Sequence, residues 1–203
     1  MEQGAQGNIP ILLLAAGSSS RMGQSKQLLS IDGKTLIRRV AEICLSAKIG
    51  KVIIVLGANE NEHRKEVQDL PVNILSNPDW DKGMGTSIKA GVKYITSQLP
   101  LSAGIIISVC DQPHLSANHL IGLTQPFIAD RQLIIASTYQ GAHGVPALFD
   151  AFYFNSLLRI EDAAGAKTLI KKHSDRVIGM PFPEGAIDLD TIADYNTFND
   201  NLK

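Results

Sequence analysis

The chain has 203 residues, 44% of them hydrophobic, and a formal net charge of −1 at pH 7. That length suits one large domain with a sizeable core, and the near-zero charge argues against a nucleic-acid surface, which needs a clustered basic excess. The two cysteines lack the C-x-x-C spacing of a metal site and favour reduced thiols. The N-terminus shows no leader pattern and no apolar stretch reaches membrane-spanning length, so we expect a cytoplasmic protein without membrane contact.

Apolar runs alternate along the chain with segments in which apolar residues recur at three- and four-residue steps. The runs predict strands and the stepped segments predict helices. Strands are expected at 9–16, 51–56, 72–75, 104–110, 133–137 and 147–149, with a loop at 141–146, and helices at 35–48, 61–69, 86–98 and 116–129. This alternation is typical of an α/β fold with a mostly parallel central sheet and helices on both faces. No linker, repeat or low-complexity run divides the chain, so we expect one domain over 1–203.

A loop of small residues directly follows the first predicted strand; we call it the first loop, residues 16–27. The strand shows no alternation, as expected for a parallel strand covered on both faces, and its carboxyl end is where ligands of α/β sheets collect. Glycine and serine let backbone amides approach an anion, and Arg21 and Lys26 supply positive charge. The pattern fits a polyphosphate site, and equally, by itself, a turn with two solvated cations.

Three acidic residues near strand or helix ends are candidate metal ligands. Asp111 closes the run 105–110, where a carboxylate needs a cation or hydrogen-bond donors; an N-cap or turn aspartate, helped by Ser116, is the other interpretation. Mg²⁺ commonly takes one or two carboxylates together with phosphates and water. Asp188 and Asp190 are one residue apart, so in an extended segment only one of them faces the site. Thr191 is expected to cap the last helix.

Segment 83–87 leads into a predicted helix. Gly83 and Gly85 would let the backbone lie flat against a nucleobase, and Thr86 or Ser87 would N-cap the helix. A helix start without any ligand explains the same residues. The nearby Trp80 is placed either to stack on a ring or to pack in the core.

Residues 14–23, followed by Lys26, resemble the signature loop of the nucleotidyltransferases that build NDP-sugars, CDP-alcohols and molybdenum cofactor dinucleotides. The similarity is to the MobA-like NTP transferase family and, more narrowly, to its MocA-like cytidylyltransferase branch. It extends over about 9–198 through the segments 83–87, 110–113, 141–149, 165–166 and 188–191. The resemblance implies a three-layer Rossmann-like fold forming a single NTP transferase domain.

The resemblance also implies a reaction and a set of site residues. The reaction is Mg²⁺-dependent transfer of CMP from CTP to the terminal phosphate of Mo-molybdopterin, with release of pyrophosphate. Catalytic roles fall to Arg21, Lys26 and Asp111, and the metal position to Asp111 and Asp190. The implied nucleotide-binding residues are Leu14, Ala15, Ala16, Gly17, Ser18, Ser19, Arg21, Lys26, Gly83, Gly85, Thr86 and Ser87. The implied acceptor-binding residues are Gln112, His143, Gly144 and Pro146.

Base choice and acceptor depend on finer points of the resemblance. The guanine-using branch typically has a glycine where this chain has Ala16 and a methionine where it has Gln112, which favours cytidine. The segment 161–166 departs from the family's Gly-Asp-x-Gly-Ala pattern, and His143 is either an acceptor contact or a solvated loop residue. A guanylyltransferase, a sugar- or polyol-phosphate nucleotidyltransferase and a non-catalytic cofactor carrier remain alternatives. A transient contact with a molybdoenzyme or a cofactor chaperone is also implied.

Overall fold

The computed structural model describes residues 8–19, 22–187, 189 and 191–200. Their centre is a seven-stranded sheet in the order β5–β4–β1–β6–β8–β7–β9, and a separate hairpin pairs β2 with β3. The strands are β1 (Ile11–Ala15), β2 (Ser30–Ile31), β3 (Lys34–Thr35), β4 (Val52–Leu56), β5 (Asn73–Ser76), β6 (Gly104–Val109), β7 (Ile134–Tyr139), β8 (Ala142–Asp150) and β9 (Val177–Pro181). Only β8 pairs antiparallel with its neighbours in the large sheet, so the expected mostly parallel α/β fold is confirmed.

Helices cover both faces of this sheet. They are α1 (Leu36–Ser46), α2 (Glu60–Val67), α3 (Met84–Gln98), α4 (Ala117–Thr124), α5 (Phe154–Leu158), α6 (Ala166–Lys172) and α7 (Ile192–Asp200). One buried cluster packs the sheet against α1 and α4, and the other packs it against α3, α5 and α6. Alternate residues of β1 enter the two clusters, which explains why this strand is apolar at every position. In the described part of the chain, no helix has the length and apolar character needed to span a membrane.

The region after residue 124 differs most from the sequence prediction. The helix expected to reach residue 129 ends at Thr124, because Pro126 cannot continue a helix. The expected loop at 141–146 is the first part of β8, and the strand bends where the β7 pairing shifts between Ala136 and Ser137. This irregularity accommodates Pro146, which has no N–H for the sheet. The elements β9, α5 and α6 were not predicted.

Candidate active site

A cavity of about 360 Å³ lies at the carboxyl ends of β1 and β6. Its wall combines the first loop, the end of β6, the short 3₁₀ helix Trp80–Lys82 and the start of α3. Eight of the residues predicted for the site line it: Leu14, Ala16, Gly17, Ser18, Lys26, Gly83, Ser87 and Asp111. The fold therefore brings three segments that are distant in the sequence to one place.

Lys26 and Asp111 are in direct contact in this cavity. Lys26 Nζ donates to Asp111 Oδ2 at 2.6 Å, and the two side chains are 18% and 23% exposed. Lys26 opens a short 3₁₀ helix at the end of the first loop, whereas Asp111 lies two residues after the last residue of β6. An ion pair of this kind can open, so that the cation binds an anionic phosphate and the carboxylate binds a metal ion.

The first loop is held by Gln27, which the sequence analysis missed. Gln27 is 2% exposed, and its Nε2 donates to Gly17 O at 2.9 Å. Its Oε1 accepts from the hydroxyls of Ser19 and Ser25, at 3.0 and 2.8 Å. Ser19, in the left-handed region with φ 53°, also accepts the backbone N–H of Lys26 at 3.0 Å. The Ser19 hydroxyl therefore stabilises the conformation of the first loop. The role of Gln27 becomes visible only in the structure, where its side chain is buried.

The hydroxyls of segment 83–87 make structural contacts. Helix α3 begins at Met84, with Gly83 as N-cap and no capping side chain, so the predicted cap by Thr86 or Ser87 is wrong. The reason is that Thr86 Oγ1 lies 2.9 Å from Asp79 O and 2.8 Å from Gly83 O, both acceptors for its proton. Buried Asn77 donates from Nδ2 to the hydroxyls of Thr86 and Ser87. Ser87 alone of these two hydroxyl residues lines the cavity.

Gly83 and Gly85 pack against another part of the chain, the turn 161–163; Gly83 also lines the cavity, whereas Gly85 is not among the residues that line it. A Cβ added at Gly85 would lie 2.1 Å from Glu161 O, and one at Gly83 would lie 2.4 Å from Asp162 O. The N–H of Gly85 donates to Asp162 O at 2.8 Å, and Lys89 pairs with the Asp162 carboxylate. Segment 161–166, which departs from the family pattern, therefore packs against segment 83–87, part of which lines the cavity.

We expect Gly85→Ala to destabilise the protein by about 1–3 kcal/mol, because the new methyl group displaces backbone rather than a flexible side chain. Thermal unfolding measures this as a lower Tm. Gly17→Ala is the matched control, since a Cβ there has no described atom within 4 Å. Equal Tm values for the two variants would contradict the docking of the turn 161–163.

Trp80 lines the cavity next to Ala16. A Cβ added at Gly57 would lie 2.5 Å from Trp80 Cβ and 2.9 Å from Ala16 Cβ, so the absence of a side chain at Gly57 lets the tryptophan approach β1. Trp80 is half-buried by this packing and is the only tryptophan of the chain. Its ring is therefore a fluorescence reporter at the cavity wall. Cys110 lines the same cavity, and burial raises the pKa of its thiol, which keeps the thiol neutral.

The predicted acceptor residues lie outside this cavity. Gln112 is 2% exposed, and its Nε2 donates to Val145 O and Gly185 O at 3.1 Å each, so its side chain joins β8 to the turn 183–186 instead of facing a substrate. Pro146 is buried in β8, following a cis peptide bond. His143 is exposed, with Nδ1 3.1 Å from Thr138 Oγ1.

A basic side chain, that of Lys167, lies beside β8, the strand that carries the predicted acceptor residues His143, Gly144 and Pro146. A Cβ added at Gly144 would lie 2.2 Å from the Tyr139 hydroxyl oxygen and 3.0 Å from Lys167 Cε. Lys167 Nζ lies 5.5 Å from the centroid of the Tyr139 ring. The start of α6, the helix that carries Lys167, lies close to the cavity wall. A Cβ added at Gly165, the N-cap of α6, would lie 3.2 Å from Sδ of Met84, which lines the cavity. Sequence reasoning did not single out Lys167 or Tyr139, whose proximity depends on the pairing of β7 with β8.

The predicted residues Arg21 and Asp190, together with Asp188, lie outside the described residues. Leu189 is described, and its N–H donates to Asp111 O at 3.1 Å. No cluster of three or more potential metal ligands occurs among the described residues. Two described carboxylates line the cavity, those of Asp81 and Asp111, and Asp111 is the one that contacts Lys26.

The last helix carries the cap that the sequence predicted. The N–H of Asp194 donates to Thr191 Oγ1 at 3.2 Å, and the N–H of Thr191 donates to Asp194 Oδ2 at 2.8 Å. This reciprocal pair is a capping arrangement and fixes the start of α7 directly after the 188–190 segment.

The fold is that of an α/β domain with a cavity at the carboxyl ends of its strands, and comparison with known proteins gives its family. The chain belongs to the MobA-like NTP transferase family, whose domain model matches residues 11–177. A nucleotidyl transferase from Methanothermobacter thermautotroptrophicus has the same fold, with a TM-score of 0.80 at 21% identity over 96% of this chain and 97% of that one.

Two curated relatives are similar over part of their length. Nicotine blue oxidoreductase of Paenarthrobacter nicotinovorans is 38% identical over 106 residues, which are 52% of this chain and 50% of the relative. Molybdenum cofactor cytidylyltransferase of Escherichia coli is 33% identical over 95 residues, 44% of this chain and 47% of the relative. The matched part thus spans about half the length of each of these relatives.

Proposed function

We propose that the protein transfers CMP from CTP to the terminal phosphate of Mo-molybdopterin, with Mg²⁺ as cofactor, and releases pyrophosphate. The observation that carries this proposal is the contact of Lys26 with Asp111 in a cavity lined by the first loop. Membership of the MobA-like family and the similarity to a molybdenum cofactor cytidylyltransferase support it.

The reaction needs alignment and charge neutralisation more than proton transfer. An oxygen of the acceptor phosphate forms a bond to the α-phosphorus of CTP. The bond from that phosphorus to the bridging oxygen of the β-phosphate breaks, and its electron pair leaves with pyrophosphate. A phosphate monoester is already an anion near neutral pH, so the attacking group requires no general base. The protein's contribution is to hold the two anions close together and to neutralise their charge.

The cavity residues divide this work. Lys26 neutralises the α-phosphate as its geometry changes, and the amides of the first loop, around Gly17 and Ser18, approach the phosphate oxygens. Asp111, with Asp190, would hold the Mg²⁺ ion; when bound, the ion neutralises charge on the phosphates. Arg21 is proposed to hold the departing pyrophosphate.

The proposal of CTP as donor depends on the wall beside Ala16. Ala16 lines the cavity, and a glycine at this position would leave more room for a purine. Gln112, the other residue that favours cytidine by resemblance, lies behind the wall and does not touch a base placed there. Selection against guanine is therefore assigned to the size of the pocket at Ala16.

Pyrophosphate release tests the whole proposal. CTP, GTP, ATP and UTP are each supplied with Mg²⁺, with and without molybdenum-loaded molybdopterin, and release is expected only with CTP and the acceptor together. Release with GTP would identify a guanylyltransferase, and release with a sugar or polyol phosphate would identify another acceptor. No release with any combination would favour a cofactor carrier.

An oxidoreductase is a second candidate, favoured by the 38% identity to nicotine blue oxidoreductase. The same preparation, supplied with NADH or NADPH and a dye acceptor, is expected to leave the nicotinamide absorbance unchanged. Loss of that absorbance without pyrophosphate release would replace the transferase proposal.

Lys167 is expected to act on the acceptor and not on the nucleotide. Its side chain lies beside Gly144 of β8 and Tyr139 of β7, so Lys167→Ala should raise KM for molybdopterin about tenfold, the effect of losing one charge-assisted hydrogen bond. KM for CTP should stay unchanged. Lys171→Ala, an exposed lysine on the same helix, is the control for general loss of charge. An equal rise of both KM values in Lys167→Ala would contradict an acceptor role.

A further inference from the structure

A fully buried histidine contacts the first loop from outside the cavity. His63, on α2, is 0% exposed, and its Nε2 lies 2.6 Å from the hydroxyl oxygen of Ser25. The proposed mechanism gives this imidazole no task. Burial lowers the pKa of His63, so the ring is neutral at physiological pH. A neutral ring has one N–H, and its position decides which way the Ser25 hydroxyl points.

The hydrogen bonds of Gln27 fix that position. Gly17 O can only accept, so Gln27 must present its Nε2 to it and its Oε1 to the serines. The Ser25 hydroxyl therefore donates its one proton to Gln27 Oε1, at 2.8 Å. His63 must then donate from Nε2–H to Ser25. Nδ1 of His63 carries no proton and has no hydrogen-bond partner among the described residues, consistent with this tautomer.

The result is a directed chain of hydrogen bonds that reaches the cavity. It starts at His63, passes through Ser25 to Gln27 and ends at Gly17, which lines the cavity. A second branch converges on Gln27 Oε1: the backbone N–H of Lys26 donates to the Ser19 hydroxyl, which donates to Gln27. The hydroxyl protons of Ser25 and Ser19 are both donated to Gln27 Oε1. Loss of the His63 N–H would therefore remove the hydrogen bond that orients the Ser25 hydroxyl.

We propose that His63 is a positioning residue for the first loop: by donating Nε2–H to Ser25 it fixes the loop conformation that directs Lys26 at nucleotide phosphates. The identity of that ligand rests on the proposed function. The effect on the loop does not, because the chain of hydrogen bonds is present without ligand.

Amide hydrogen exchange of the ligand-free protein tests the positioning directly. His63→Leu keeps a similar volume without a donor and should speed exchange of the Lys26 amide about tenfold. His63→Gln retains a donor nitrogen at similar reach and should restore slow exchange. Val67→Ala removes apolar volume from the same face of α2 and should leave the Lys26 amide unchanged. Exchange at Lys26 that is the same in His63→Leu and in the wild type would overturn the proposal, as would the same acceleration in Val67→Ala.

Nitrogen-15 NMR of the imidazole gives a signature that packing alone does not. The wild-type ring should show Nε2 protonated and Nδ1 unprotonated. Ser25→Ala, which removes the acceptor of His63 while leaving the histidine in place, should speed exchange of the Lys26 amide as His63→Leu does. The opposite tautomer in the wild type would refute the assigned direction of the chain.

Nucleotide binding then separates this inference from the proposed function. Quenching of Trp80 fluorescence reports occupancy of the cavity. His63→Leu should weaken CTP binding about tenfold and leave cytidine, which has no phosphates, unchanged. Equal weakening of CTP and cytidine, or none, would overturn the inference. A wild type that binds no nucleoside triphosphate would refute the proposed function, and the exchange of the Lys26 amide would still decide the role of His63.

Discussion

Asp111→Asn is expected to lower turnover by about 100- to 1000-fold, the scale of losing one preorganised electrostatic contact to the reacting phosphates. Asparagine keeps the shape of the side chain but removes the charge that would hold Mg²⁺ and that faces Lys26 at 2.6 Å. The affinity for CTP without Mg²⁺ should remain nearly intact, because Lys26, Arg21 and the loop amides that are proposed to bind the phosphates are unchanged. Single-turnover release of pyrophosphate and fluorescence titration in EDTA measure the two quantities.

Asp69→Asn provides the matched control for this variant. Asp69 forms a bidentate ion pair with Arg38 of α1, outside the cavity. The variant therefore also breaks an ion pair but leaves the cavity unchanged. Its turnover should equal that of the wild type. Normal turnover in Asp111→Asn would refute the metal assignment, and a large loss of Mg²⁺-free CTP binding would show that Asp111 acts on the loop instead.

The sequence was sufficient for the features that depend on burial along a single strand. Continuous apolar runs predicted β1, β4 and β6 because each strand is buried on both faces, and the polar residues after β1 and β6 then fell at the sheet edge where the cavity lies. Lys26 and Asp111 could be named separately. Their contact joins residues 85 positions apart and became visible only in the fold.

The surroundings of several candidate residues could not be predicted, because a distant backbone determines them. Gly83 and Gly85 have the spacing of a base-binding surface, but the turn 161–163 occupies the space beside them. Gln112 has the type of a polar contact residue, but two carbonyls from other segments bind its amide. Local sequence does not record which backbone will approach, and the same limit hid the roles of Gln27 and His63.

Lys26→Gln is the second change with a large expected effect. Loss of the ammonium group should lower kcat by about 100- to 1000-fold, because the α-phosphate would pass through its most charged geometry without the cation proposed to neutralise it there. Lys26→Arg should recover only part of the rate, since a planar guanidinium does not place a point charge where the ammonium lies. Steady-state kinetics with CTP and Mo-molybdopterin measure both variants.

The double variant Lys26→Gln, Asp111→Asn decides whether the pair acts as one unit. If both groups stabilise the same transition state, the double variant should be little slower than the slower single variant, not the product of the two losses. Multiplicative rate losses would mean that Lys26 and Asp111 serve independent steps, and their contact in the cavity would then be a feature of the resting protein only.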